Sequence, residues 1–121
     1  MGLEIEVSEV GTGGRRVALR GRLDSQTAPM LDERLDLILA SATALLFDMA
    51  GLEYISSAGI RVLVKTRKTL EARGGAVAIA HLQPPVRQVI DILKAVPSLD
   101  MFVDDAAMDA FIERMQRRAL P

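Results

Sequence analysis

The hydrophobic and polar positions of this chain change period several times, and each change marks an element. Leu3-Glu4-Ile5-Glu6-Val7 alternates apolar and polar residues, the period of a half-exposed strand. Gly11-Thr12-Gly13-Gly14 interrupts it, and Arg15 to Leu23 then alternates again with Val17, Leu19 and Leu23 on one face. Two such runs around a glycine turn predict an antiparallel hairpin. From about Gln26 to Ala40 the period becomes helical, with Ala28, Leu31, Leu35 and Ile38 as the buried stripe. Asp24 or Ser25 can cap this helix, and Pro29 fits its first turn, where the missing N–H costs little.

Ala44-Leu45-Leu46-Phe47 is continuously apolar, as expected of a strand covered on both faces. A short turn leads from it to a helix over Ser57 to Ala72, with Ile60, Leu63, Val64 and Leu70 facing inward. Gly74-Gly75 stands where a left-handed C-terminal cap belongs. Ala76 to Ala80 predicts a third buried-type strand. Pro84-Pro85 opens a helix with Val86, Val89, Ile90 and Leu93 inward, closing before Pro97. Met101-Phe102-Val103 reads as a short edge strand, and Asp105 to Arg117 as a last helix with Met108, Phe111, Ile112 and Met115 inward. The order is β-β-α-β-α-β-α-β-α. It predicts one α/β domain over residues 1–121, a mixed sheet of four to five strands with an N-terminal hairpin and about four helices.

Composition narrows the function classes. A chain of 121 residues suits one domain with a sizeable core. Fifteen basic against sixteen acidic residues give a formal net charge of -1, without the basic excess of a nucleic-acid binder. No nucleic acid is therefore expected among the partners. There is no cysteine, which excludes disulfide and thiolate chemistry. The first residues lack a cationic leader region, and no apolar run approaches the ~18 residues of a membrane span. A cytoplasmic protein without direct membrane insertion is the expectation.

Catalytic constellations are mostly missing. His81 is the single histidine, on a loop after a strand, and neither Ser56 nor Ser57 lies in a G-x-S-x-G elbow. One histidine and no cysteine cannot build a Cys/His metal site. Asp104-Asp105 could in principle hold a hard cation, but adjacent acids at a helix start more often complement the helix dipole. Neither a Walker A pattern nor a G-x-G-x-x-G is present. No catalytic residue, no metal and no cofactor are expected.

What remains is the pair Ser56 and Ser57, at the first turn of the second helix. A helix start gathers unpaired N–H groups and the positive end of the dipole, so it stabilises an anion. The serines there are either caps, each contributing about 1 kcal/mol, or hydroxyls placed to receive a phosphate. Ala58 and Gly59 follow, small residues that leave the helix start open to approach. Glycine costs about 1 kcal/mol inside a helix, so stability alone does not explain Gly59.

Two segments resemble the STAS domain family of anti-sigma factor antagonists, whose fold also forms the cytoplasmic domains of sulphate transporters. Gly21-Arg22-Leu23-Asp24-Ser25-Gln26-Thr27-Ala28 is similar to the family's G-x-L-D-x-x-[TN]-[AS]. Phe47-Asp48 through Tyr54-Ile55-Ser56-Ser57-Ala58-Gly59-Ile60 is similar to D-x-S-x-[VL]-x-[FY]-[ILM]-D-S-[ST]-G-[LI]. The chain departs from that pattern in three places: Ser56 stands for the motif aspartate, Ala58 for its second hydroxyl residue, and Ala50 for the earlier serine.

The resemblance implies that Ser57 is the phosphoacceptor. It implies partner switching: the unphosphorylated protein binds an anti-sigma factor with serine kinase activity and releases it once phosphorylated, and a PP2C-type serine phosphatase restores binding. The binding surface it implies comprises Asp24, Ser56, Ser57, Ala58 and Gly59, with Arg61, Val62 and Lys65 on the side of the helix away from its apolar stripe. The alternative is a constitutive scaffold subunit of a membrane transport or sensory complex, in which the serines only cap the helix.

Overall fold

The computed structural model describes residues 2–95 and Ile112. The hairpin forms as the alternation requires. β1 (Leu3–Val10) and β2 (Gly14–Leu23) pair antiparallel with Ile5 opposite Leu19 and Val7 opposite Val17, so their apolar side chains share one face. On the other face Glu4 lies opposite Arg20, 3.8 Å from it, while Glu9 lies opposite Arg15, 3.9 Å away, at the turn end of the apolar face. These exposed pairs add little energy, but like charges at the same positions would oppose the register.

The chain then runs through α1 (Ala28–Leu39), β3 (Ala44–Ile55), α2 (Ser57–Glu71), β4 (Ala76–Ala80) and α3 (Pro84–Ala95). Among the described residues the sheet has the order β1-β2-β3-β4, with β2, β3 and β4 parallel. Val17, Leu19, Phe47, Met49, Leu31, Leu35, Ile60, Leu70 and Val86 belong to one continuous apolar core, which Ile112 also joins. The predicted mixed α/β sheet with its opening hairpin is the fold observed.

α1 starts two residues later than its period suggested. Asp24 folds its carboxylate back onto the Gln26 and Thr27 N–H groups, at 3.0 and 3.1 Å, and spends Ser25 to Thr27 on a turn. The buried stripe is Ala28, Leu31, Leu35 and Leu39, with Ile38 only partly covered. α2 ends as its glycines predict. Gly74 has φ +80°, its N–H donates to Glu71 O at 3.0 Å, and the Gly75 N–H donates to Leu70 O at 2.8 Å. Those are the two bonds of a Schellman motif, which needs a left-handed residue at that point.

Two expectations are corrected. The strand read at Ala44 to Phe47 continues to Ile55, so the residues between it and the serines, where a short turn was expected, are strand. β4 is not buried on both faces: it is the outer strand among those described, and only Val77 and Ile79 pack against the core. Its small alanines misled the apolar count, because alanine leaves little to bury. The predicted strand at Met101 to Val103, the acidic pair Asp104-Asp105 and most of the predicted last helix lie outside the described residues. Within that helix Ile112 is helical and buried, as its spacing required.

Candidate functional site

The candidate site is the junction between β3 and α2, and β3 reaches it through two irregularities. Its inward residues are Leu45, Phe47 and Met49, then Leu52, then Ile55. The steps of three coincide with register shifts against β2: Ala18 and Arg20 face Asp48 and Gly51, and Gly21 and Arg22 face Leu52 and Tyr54. Each shift places one extra residue on β3, a β-bulge that turns the following side chains to the other face. Two bulges restore the original phase. Ile55 therefore points inward, and the next residues begin a helix over the core.

A polar cluster holds the first bulge. The Asp48 carboxylate accepts the Ala50 N–H at 3.0 Å, pairs with the Arg16 guanidinium, and meets the His81 Nδ1 at 3.1 Å. The Gln83 side-chain amide donates to the Ala50 carbonyl at 2.6 Å, so both polar groups of the bulged residue have partners. The Ala50 N–H first, then Arg16 and His81, outweigh burial and hold the Asp48 pKa down at about 2. His81 itself takes a left-handed backbone, φ +61°, with its ring largely exposed. This cluster was not read from the sequence. The one signal there was Asp48 within an apolar strand, because a buried carboxylate requires partners.

At the end of β3 the Ser56 N–H donates to Leu23 O at 2.9 Å, tying the junction to β2. Ser56 has the extended backbone of an N-cap, and its hydroxyl accepts the Gly59 N–H at 3.5 Å, the outer limit of a hydrogen bond. The Ser56 O takes the Ile60 N–H at 3.0 Å, the first bond of the helix proper. Ser57 is the first residue of α2, and it is only 4% exposed.

Gly59 has a role other than the one its size suggested. A Cβ there would lie 2.6 Å from Leu23 Cγ and 3.0 Å from Ile55 Cγ1. The glycine lets α2 press against the ends of β2 and β3, and it faces the core rather than an approaching partner. Val62 is corrected as well. Expected on the exposed side, it is 8% exposed and belongs to the core, because the buried arc of α2 is wider than the Ile60, Leu63, Val64 stripe.

The other predicted residues surround the junction. Asp24 lies in the turn after β2, with Arg22 Nε 3.9 Å from its carboxylate. The Arg22 guanidinium also stacks over the Tyr54 ring, 3.9 Å from its centroid. Ala58 is half-buried, and Arg61 is exposed one turn along α2. Lys65 reaches back to α1, with its Nζ 3.0 and 3.1 Å from the two Asp32 carboxylate oxygens. That pairing raises the Lys65 pKa. The structure thus brings Asp24, Ser56, Ser57 and Ala58 to one junction, turns Gly59 and Val62 inward, and sets Arg61 and Lys65 along the helix leaving it. Among the described residues no group of three or more His, Cys, Asp or Glu side chains is placed to hold a metal ion, and no helix is long and apolar enough to cross a membrane.

These elements are those of a STAS domain, whose family model matches residues 9–108; the chain belongs to that family. It is 28% identical over 105 residues to the anti-sigma F factor antagonist of Paenibacillus polymyxa, covering 83% of this chain and 89% of that protein. An anti-sigma factor antagonist from Mycobacterium paratuberculosis has the same fold at a TM-score of 0.69 and 24% identity, covering 82% of this chain and 89% of that one. The Bacillus cell fate determinant SpoIIAA in its phosphorylated form matches at a TM-score of 0.65 and 18% identity, over 92% and 98% of the two chains.

Proposed function

We propose that this protein is an anti-sigma factor antagonist that works by partner switching, with Ser57 as its phosphoacceptor. The observation that carries this is the position of Ser57: the first residue of α2, directly after a cap whose own hydroxyl is turned to the Gly59 N–H. Relatives named anti-sigma factor antagonists support the same function. Unphosphorylated, the protein binds an anti-sigma factor that is also a serine kinase; it is not itself an enzyme, and it acts in the cytoplasm.

In the transfer, the Ser57 Oγ displaces ADP from ATP. A bond forms from that oxygen to the γ-phosphorus, the bond to the β–γ bridging oxygen breaks, and the hydroxyl proton passes to a base of the kinase. The phosphate adds about -1.5 to -2 charges, beside backbone N–H groups that tolerate an anion. A PP2C-type phosphatase restores the serine by hydrolysis. Incubation with a cognate kinase and ATP, followed by mass spectrometry, is expected to place one phosphate on Ser57 and none on Ser57→Ala. Phosphate on Ser56 alone would overturn the assignment.

One observation favours the scaffold reading instead: both hydroxyl residues are folded in, Ser56 at 7% and Ser57 at 4% exposure. A serine that only supports the helix start has that burial. Under it Ser57→Asp leaves partner binding nearly unchanged, whereas the switch requires binding to be lost.

A further inference from the structure

Among the described residues β1 is an outer strand of the sheet, with β2 on one side and no strand on the other. The register says which backbone groups lie at that free edge. The Arg22 N–H donates to Gly2 O at 2.9 Å, continuing the ladder that pairs Leu3 with Gly21 through to Val10 with Gly14. Bonded and non-bonded pairs alternate in an antiparallel ladder, so Glu4, Glu6, Ser8 and Val10 turn their backbone groups towards β2. Leu3, Ile5, Val7 and Glu9 turn theirs outward. Long edges are usually blunted by a proline, a bulge or a lysine. β1 has none of these along its eight residues, and its register against β2 is unbroken.

The side chains beside this edge differ by face. On the helix side Leu3 and Ile5 are half-buried against the core, and Val7 is half-buried beyond them. Ile38, also half-buried, lies on the other flank of α1 from Asp32, which pairs with Lys65 of α2. An incompletely covered apolar shelf thus follows the edge. On the open side Glu4 and Glu6 are exposed. Glu4 has Arg20 at 3.8 Å, whereas Glu6 lies opposite Ala18 and has no ion pair among the described residues.

We propose that the free edge of β1 is a strand-addition site for an extended segment of a partner protein in which apolar and basic residues alternate. Main-chain bonds to Leu3, Ile5, Val7 and Glu9 supply affinity, and the alternating side chains supply specificity. Apolar residues of the segment cover the shelf, and its lysines or arginines stand beside Glu4 and Glu6. A second copy of β1 is the wrong occupant. Centred on Ile5, Glu4 of each copy would meet Glu6 of the other, and the adjacent registers oppose Glu4 to Glu4 or Glu6 to Glu6. The site goes beyond partner switching and does not depend on which serine takes the phosphate.

The test uses the full chain and a short fluorescein-labelled peptide that alternates lysine and valine, followed by anisotropy at ~50 mM salt. Binding is expected, and a peptide of the same composition with its lysines grouped binds at least about tenfold more weakly. Val7→Pro loses about tenfold; its N–H faces the free edge, so the hairpin keeps its own bonds. Glu6→Lys loses about fivefold, while Glu33→Lys on α1 makes the same charge change and loses nothing. Thermal melting confirms that each variant is folded. Hydrogen exchange gives the direct signature: with peptide bound, the amides of Leu3, Ile5, Val7 and Glu9 slow at least about tenfold, and those of Glu4, Glu6 and Ser8 stay as they were.

Absence of binding, equal binding of the grouped peptide, or binding that survives Val7→Pro in a folded protein would overturn the proposal. So would protection that appears on other elements and not at the four outward amides. A dimer in sedimentation that Val7→Pro dissociates would make a second copy the occupant and overturn the choice of a basic segment.

Discussion

The starts of α1 and α2 solve the same problem in different ways. At the start of α1 a carboxylate does the work: Asp24 accepts two backbone N–H groups, and the Thr27 hydroxyl donates to Arg22 O at 2.9 Å. At the start of α2 the Ser56 hydroxyl caps, 3.5 Å from the Gly59 N–H. Packing makes up the difference, through the seat that Gly59 makes against Leu23 and Ile55. The start of α1 is thus already neutralised by an anion. The start of α2 is capped by a neutral hydroxyl, next to a second serine. The absent motif carboxylate removes a charge that would oppose a phosphate at the same point.

The largest effect that separates the two helix starts is expected from Gly59→Ala. The new methyl group meets Leu23 and Ile55 well inside contact distance, and overpacking of this kind costs about 1–3 kcal/mol. Chemical denaturation should show that loss, and hydrogen exchange should show it concentrated at α2. An unchanged denaturation midpoint would mean that packing does not hold the start of α2.

Acid is expected to act next, through the bulge in β3 that leads to α2. Asp48 has its pKa lowered from 3.8 to about 2, so its stabilising contribution is fully present above the higher value. It is lost as pH falls from about 4 to about 2, an amount on the order of 2 kcal/mol. Asp48→Asn should flatten that part of the stability curve and loosen the bulge at Ala50. If the variant keeps the wild-type slope between those pH values, the bulge does not depend on the carboxylate.

The smallest effect is a paired one. Asp24→Ala removes two good acceptor contacts and is expected to cost about 1 kcal/mol, whereas Ser56→Ala removes one long contact and costs a few tenths. Thermal melts of the two variants side by side measure the difference. Equal losses would erase the distinction between a charged and a packed helix start.

Much of the frame was legible in the chain. The alternation of Leu3 to Val7 and of Val17 to Leu23 set the hairpin, and the spacing of Ala28, Leu31 and Leu35 set α1. Gly74 marked the end of α2 because few other residues adopt its backbone. The bulges were not legible. Ala50-Gly51 has the composition of a turn, and only pairing with β2 shows that the strand runs on. Val62 failed for a related reason: how wide an arc a helix buries depends on what packs around it, not on its own period. Asp48 stood in plain view, but its cluster draws Arg16, His81 and Gln83 from β2 and from the loop after β4.

The sequence by itself determined the order of elements, the two motifs at Gly21 to Ala28 and Phe47 to Ile60, and the serine pair at a helix start. Those are local properties, set by backbone propensity and by the period at which apolar side chains recur. Tertiary structure alone decided which serine caps and which begins the helix, why Gly59 is needed, and that Val62 turns inward. Each of those depends on how closely strands β2 and β3 meet α2. That distance is fixed by packing between residues far apart in the chain.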